Sequence, residues 1–502
     1  MMTALLLRAP LTVLLAAWAL VALWRAVFLY FANLDLIGDE SYYWEWSRRL
    51  DWCYYSKPPL VAWLIALSTA IGGATTESVR WPAVIFGTWT LWPCYRLAQA
   101  LYGHSAGVLA VLLLLAMPLS VLTSFLMTID PPLYLSWWFA LMYLHQALFG
   151  RQRRRDWIYA GVAMAFGLLS KPTALALPIL TAAYLICEST HRQELTRGFL
   201  WLLPPCLLAL LPQIWWNAQH DWIMLHHNQT HFSHEAASGL THLQNFGEFS
   251  MQQALLISPL IWIGVLGVSL VLLMQWRWIE AKARWLLWMG PLPLWGVIGL
   301  ALAQKVQGNW PAPFYFSGLV LLAGYIISPQ SIEKYRYFIG SRYASTALAF
   351  GVIMVIATYL LPFSHTMLPS ALQRIDPTNR LRQWRELAEQ VQTVRLQQNL
   401  GDETALLVYG HRDIASELAF YLPDQPQVYL WSADVGVNNQ YDLWPGLMED
   451  QRQRVLLISQ WRFDDLPSAL RETCKIWHAV GVATLLPHST RAKQLFIYLG
   501  NR

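Results

Sequence analysis

Residues 11–32 read LTVLLAAWALVALWRAVFLYFA, and shortly after them residues 38–46 read GDESYYWEW. The first stretch is apolar enough, and long enough, to cross the roughly 30 Å hydrocarbon layer of a bilayer as one helix. It exceeds the roughly 7–15-residue core of a secretory signal and has no small-residue cleavage site, so it predicts an uncleaved first span. Arg8 before it predicts a cytoplasmic start. The second stretch then places two adjacent carboxylates and a run of aromatics at the far boundary of that span.

The rest of the chain follows the same logic. Of its 502 residues, 56% are hydrophobic and only 13% are charged, against roughly 25% charged in a soluble globular protein. The 28 Trp suit a chain with many membrane interfaces, where an amphipathic ring sits half wet. Further apolar runs fall near 80–101, 105–126, 131–149, 157–170, 172–187, 198–216, 252–274, 285–303, 311–328 and 343–362, which makes about eleven predicted spans. Basic residues cluster in alternate loops: Arg151 and Arg153 to Arg155, then Arg192 and Arg197, then Arg277, Lys282 and Arg284, then Lys334, Arg336 and Arg342. The segment 217–250 has no Lys or Arg at all. This asymmetry predicts a cytoplasmic N-terminus and puts residues 38–59 outside. It also accounts for the net charge of +5 without nucleic acid, since the basic residues mark topology and not a phosphate-binding stripe.

From about residue 370 the composition turns polar. The runs 405–409, 428–431 and 455–458 predict strands, and 381–400 predicts an amphipathic helix. The expected organisation is therefore a polytopic α-helical membrane region, 1–369, with interfacial helices at about 38–72, and a small extracytoplasmic soluble α/β domain, 370–502. Five Cys without a C-x-x-C pair give no zinc or thioredoxin-like signal. Cys94, Cys187 and Cys206 lie in apolar stretches and predict core positions. Cys53 and Cys474 both fall outside on this topology, which leaves a disulfide between them open.

Four clusters on the outer side carry candidate chemistry. Asp39 and Glu40, beside Tyr42 and Tyr43, stand where a carboxylate loses solvation, although either residue also suits a helix start. Lys57 in Tyr55-Ser56-Lys57-Pro58-Pro59 can present its ammonium to an anionic head group, or simply anchor a helix end at the interface. Asp130-Pro131-Pro132 and Lys171-Pro172 read equally as site residues or as helix starts. Asn309 and Trp310 lie in the turn-rich Gln307–Pro313. The histidine-rich loop before it, with His226, His227 and His231, makes a divalent metal ion a candidate cofactor, and no other cofactor is expected. Phosphate-loop, H-E-x-x-H and D-x-D motifs are absent, in keeping with a donor anchored in the membrane.

Taken together and in order, Asp39-Glu40 with Tyr42-Tyr43-Trp44, Tyr55-Ser56-Lys57-Pro58-Pro59-Leu60, Asp130-Pro131-Pro132 and Asn309-Trp310-Pro311-Ala312-Pro313 resemble the bacterial dolichyl-phosphate-mannose-protein mannosyltransferase-like family of the glycosyltransferase C (GT-C) superfamily. That family includes lipid A aminoarabinose transferases and galacturonosyltransferases. The segment 414–423 looks like the outer domain of shorter members. The resemblance implies the GT-C fold, a polyprenyl-monophosphate-linked sugar as donor and an acceptor outside the cytoplasm, a lipid A or another glycolipid, or a protein. It also implies a monomer of the bacterial inner membrane whose active site faces the periplasm. By the same resemblance Asp39, with Glu40 beside it, lies at the reaction centre, and Lys57 contacts the lipid phosphate, helped by Lys171. Tyr42, Tyr43, Tyr55, Asp130, Asn309 and Trp310 would line the substrate cavity. Ser56 departs from the aminoarabinose transferases, which carry Glu before this Lys. A transporter or lipid flippase is the reading from another class. It expects polar groups at the bilayer midplane and repeat symmetry, whereas these clusters gather at one face and no repeat is visible.

Overall fold

The computed structural model describes residues 10–230, 239–327, 341–364, 376–432, 436–485 and 493–502. Arg8, His231, Lys334, Arg336 and the segment 370–375 fall outside these described residues. The chain divides into two compact units: 1–28 with 81–218 and 229–359, and 29–80 with 219–228 and 360–502. The unit that holds the C-terminal segment thus also takes in the stretch after the first span.

The first unit is helical. Four helices among the described residues are long and apolar enough to cross a membrane: Leu11–Phe31, Phe199–Gln219, Ala281–Ala303 and Arg342–Phe363. Two bent pairs, Pro172–Cys187 with Ser189–Arg197 and Thr241–Ile257 with Pro259–Met274, bring the number to six if each pair is one span. The hydropathy runs predict about eleven. Shorter helices account for part of the difference: the run 105–126 is cut after Leu115, and a new turn starts at Pro118, where proline has no N–H to continue a ladder. In the helix Asp130–Phe149, Asp130, the two prolines and the Trp and Tyr residues lower the mean hydropathy of a segment that is otherwise unbroken.

Leu20 and Leu23 of the first helix are 65% and 60% exposed. Such faces in water would be a large liability, and in lipid they cost nothing. This is an integral membrane protein. The unit's interior is close-packed around Trp137, Trp138, Leu141, Trp285 and Leu319, with Trp138 stacked on Phe316 at 4.7 Å between ring centroids. Cys94 and Cys206 are buried as expected, whereas Cys187, at the end of its helix, is exposed.

The second unit contains the helices Gly38–Ser47 and Leu60–Gly72 and a five-stranded sheet. The strands are β1 (Thr404–Tyr409), β2 (Val428–Leu430), β3 (Arg454–Ser459), β4 (Ile476–Leu485) and β5 (Lys493–Asn501). Their spatial order is β2-β1-β3-β5-β4: β1 pairs parallel with β2 and β3, and β5 runs antiparallel to β3 and β4. The central strands β1 and β3 are almost wholly apolar and buried, as strands covered on both faces should be. The helix Arg412–Tyr421 follows β1 and leads on to β2. A second helix, Trp384–Gln397, falls within the predicted 381–400. It receives the Asp35 carboxylate at its first turn, with Trp384 N donating to Asp35 Oδ2 at 2.9 Å. An anion there meets the unpaired N–H groups and the positive end of the helix. Cys53 and Cys474 are both buried, and no disulfide joins them.

Candidate active site

The helix Gly38–Ser47 opens the site. Its first turn carries Asp39 and Glu40, which suits the helix dipole, and Glu40 reaches back so that Ile37 N donates to its Oε2 at 3.1 Å. Chain neighbours on a helix point in different directions, and here that separates two carboxylates into two environments. Glu40 is 0% exposed and meets Arg80, also buried: Arg80 Nη2 donates to Oε2 at 2.7 Å and Nε to Oε1 at 3.0 Å. The same guanidinium donates to the carbonyls of Leu34 at 2.9 Å and Asp35 at 2.6 Å. Arg80 thereby fixes the segment that enters the helix.

Asp39 is different. Its side chain is 49% exposed and pairs with Arg412, whose Nη2 donates to Oδ1 at 3.0 Å. Although half of its surface is open, protein packs around it, and the carboxyl has its pKa raised, above all by lost solvation. Arg412 and Lys57 pull it back down, while Asp413 and Glu40 push it up. A carboxylate with a raised pKa is a stronger base than one in bulk water. Lys57 is thus one of the cations whose charge acts on Asp39. It stands in a tight turn in which Tyr54 N donates to Lys57 O, just before the helix Leu60–Gly72.

The aromatic residues form the floor and not the lining. Tyr42 is fully buried, its hydroxyl accepts from Gln440 N at 2.6 Å, and its ring carries the Arg412 guanidinium 4.4 Å above it. Tyr43 is buried. Tyr55 is buried too, its N–H donating to Gln440 Oε1 at 2.7 Å and its ring lying 4.7 Å from that of His227. His226 is exposed. Among the described residues, no three His, Cys, Asp or Glu side chains are grouped to hold a metal ion.

A second constellation lies in the first unit. Lys171 Nζ donates to Asp130 Oδ1 at 2.8 Å, and Asn309 Nδ2 donates to Asp130 Oδ2, also at 2.8 Å. The Lys171 and Asp130 side chains are only 9% and 11% exposed. Ser170 Oγ ties the same corner by donating to Ile129 O at 2.6 Å. The loop carrying Asn309 is held in turn by Gln253, which donates to Gly308 O and accepts from Tyr315 Oη. Trp310 is half-buried and packs against the cluster of Phe249, Ala301 and Val306. The structure thus brings together Asp130, Lys171 and Asn309, each from a separate helix end or loop. An anionic ligand would have to compete with Asp130 for Lys171.

Residues 56–216 match the family model described as dolichyl-phosphate-mannose-protein mannosyltransferase, a stretch that contains Lys57, Asp130 and Lys171. The crystal structure of ArnT from Cupriavidus metallidurans bound to undecaprenyl phosphate superposes with a TM-score of 0.62 over 97% of this chain and 98% of that one, at 17% identity. The chain is thus similar to that family over residues 56–216 and to ArnT in fold. It shares the fold of that ArnT structure along nearly its whole length.

The chain is 28% identical over 319 residues to the lipid A galacturonosyltransferase RgtD of Rhizobium johnstonii, covering 60% of this chain and 62% of that protein. It is 27% identical over 344 residues to the undecaprenyl phosphate-alpha-4-amino-4-deoxy-L-arabinose arabinosyl transferase 1 of Pseudomonas fluorescens, covering 60% and 56%. The chain spans about three-fifths of the length of these curated relatives. Sequence reasoning missed three charged residues of this ArnT-like fold: Arg80, Arg412 and Glu417. Arg80 sits within a predicted apolar span, where a charge in a sequence otherwise fit for lipid is a signal worth following. Arg412 and Glu417 belong to a helix whose polar pattern resembles any surface helix. Glu417 is fully buried, and among the described residues no donor stands in good hydrogen-bond geometry to either of its carboxyl oxygens. Burial therefore holds its pKa well above the ordinary carboxylate range.

Proposed function

We propose that the chain is an inverting glycosyltransferase that moves a sugar from a polyprenyl-monophosphate-linked donor to an extracytoplasmic acceptor, lipid A or another cell-envelope glycolipid. The observation that carries this reading is the half-exposed Asp39 carboxylate facing two cations, Arg412 and Lys57, while Glu40 is buried and committed to Arg80. The relatives' names support the reaction class, since both act in sugar transfer and one names an undecaprenyl phosphate donor. In this reading the chain crosses the inner membrane about eleven times as a monomer, with residues 38–59 on the periplasmic side.

The chemistry follows from the two charges. Asp39 takes the proton of the acceptor hydroxyl as that oxygen bonds to the anomeric carbon. The bond from the anomeric carbon to the phosphate oxygen breaks on the opposite face, which inverts the centre, and its electron pair leaves on the lipid phosphate. That leaving group is a weak base, so it needs no proton. A cation aimed at its growing charge lowers the barrier, and Lys57 fills that role. Glu40 shapes the helix start, and Lys171 orders Asp130. No step is assigned to a metal ion.

The test is transfer from a panel of polyprenyl-phosphate sugars to extracted membrane glycolipids, read as a mass gain of one sugar. Wild type is expected to show the gain, and Asp39→Asn is expected to lose it while eluting and melting as wild type does. Full transfer by Asp39→Asn would remove Asp39 from the chemistry. No transfer from any donor, together with facilitated lipid movement in vesicles, would replace the transferase reading by a flippase.

A further inference from the structure

Asp39 and Arg412 are 373 positions apart in the chain, yet the structure over-determines their meeting. The Arg412 guanidinium is fixed from below by the Tyr42 ring, and Tyr42 is itself stacked on Tyr441 at 5.8 Å and bonded to the Gln440 backbone. Beside the pair, Ser41 Oγ and Ser416 Oγ bond at 2.9 Å. Gly38 approaches Asp413 so closely that a Cβ on residue 38 would lie 2.1 Å from Asp413 Cγ. Stability alone does not explain why a charged pair is placed here. Ion pairs open to solvent contribute about 0–1 kcal/mol, and Arg412 and Asp39 keep 30% and 49% of their side-chain surface. The helices they start from are already joined by buried contacts, the serine pair among them. The effect of the pair therefore falls on the carboxylate itself.

We propose that Arg412 is the positioning residue of Asp39: its guanidinium pins Oδ1 and keeps the carboxylate charged until an acceptor hydroxyl reaches Oδ2. The C-terminal α/β segment thereby supplies part of the reaction centre. This rests on the transferase reading, in which Asp39 is the base. The groups acting on Asp39 are Arg412 and Asp413 from the helix Arg412–Tyr421, Lys57 from the turn before Leu60, and Glu40 from its own helix. Tyr42 and Tyr43 face Arg412. Of these, Arg412 is the group hydrogen-bonded to Asp39, and an adjacent Arg lowers a carboxyl pKa by about 1–3 units.

The experiment titrates Asp39 directly, by infrared spectroscopy of the full-length protein in nanodiscs, using the carboxyl band that Asp39→Asn removes. In Arg412→Gln the midpoint is expected to rise by about one pH unit, and the acidic limb of kcat/KM for sugar transfer to rise with it. In Arg412→Lys the midpoint stays within a few tenths of wild type, because a charge is retained, while kcat falls at unchanged KM. The fall follows because the planar fork is gone. An unmoved midpoint in Arg412→Gln overturns the proposal. If that variant yields no folded protein, Arg412→Lys carries the test, and a wild-type kcat there overturns it. A wild type that transfers no sugar sinks the transferase reading separately, since the infrared titration still reports on Arg412 and Asp39.

Discussion

The adjacent carboxylates Asp39 and Glu40 should respond oppositely to the same chemical change. In Glu40→Gln the shape is kept and the charge is lost, which leaves the buried Arg80 guanidinium without its anion. Arg80 and Glu40 are 1% and 0% exposed, and three of the guanidinium's hydrogen bonds go to the Glu40 carboxylate. Breaking one side of such a pair costs about 3–5 kcal/mol. For a unit of about 200 residues, that corresponds to a melting shift on the order of 10 °C. Asp39→Asn breaks a half-exposed pair and should cost no more than about 1 kcal/mol, yet it should lower sugar transfer by about 10²–10⁴-fold. The unfolding assay can use the protein's own thiols. Cys53 and Cys474 are buried in the same unit, and Cys187 is exposed, so a thiol-reactive dye in a Cys187→Ser background reports melting. A Glu40→Gln protein that melts with wild type, or an Asp39→Asn protein that melts as far below it, would refute the division of roles.

Three further outcomes follow from the same geometry. Lys171→Met should destabilise the protein by about 3–5 kcal/mol by stranding Asp130, and adding Asp130→Asn should recover most of it, as read by thermal inactivation. Gly38→Ala should cost about 1–3 kcal/mol because its Cβ meets Asp413, and Asp413→Gly in the same protein, which removes the clashing Cβ with the carboxyl, should recover part of that cost in a melting assay. Glu417 keeps its proton in the folded protein over a pH range where the unfolded chain has released it. Stability should therefore fall by about 1.4 kcal/mol per pH unit from near pH 4.3 up to its raised pKa. Glu417→Gln should remove that slope and be more stable than wild type at neutral pH, measured by melting at several pH values.

What the sequence by itself determined is what local pattern can encode. The apolar stretch 11–32, the one-sided basic loops and the alternation of β1 and β3 with polar helices depend on neighbours a few positions apart, and the structure forms helices and strands at those places. Asp39, Glu40 and Lys57 stand out as candidates in the sequence because they cluster within one short stretch beyond the first span. What only the tertiary structure decided is which carboxylate is buried against an arginine and which stays half-exposed. Asp39 and Glu40 are indistinguishable by composition, and their difference comes from partners 373 and 40 positions away, Arg412 and Arg80. Lys171 reads in sequence as either a site residue or a helix start and is found bonded to Asp130, 41 positions before it. Ionisation and reactivity follow solvation and the nearest opposite charge, which are properties of three-dimensional neighbourhoods. No periodicity along the chain carries them.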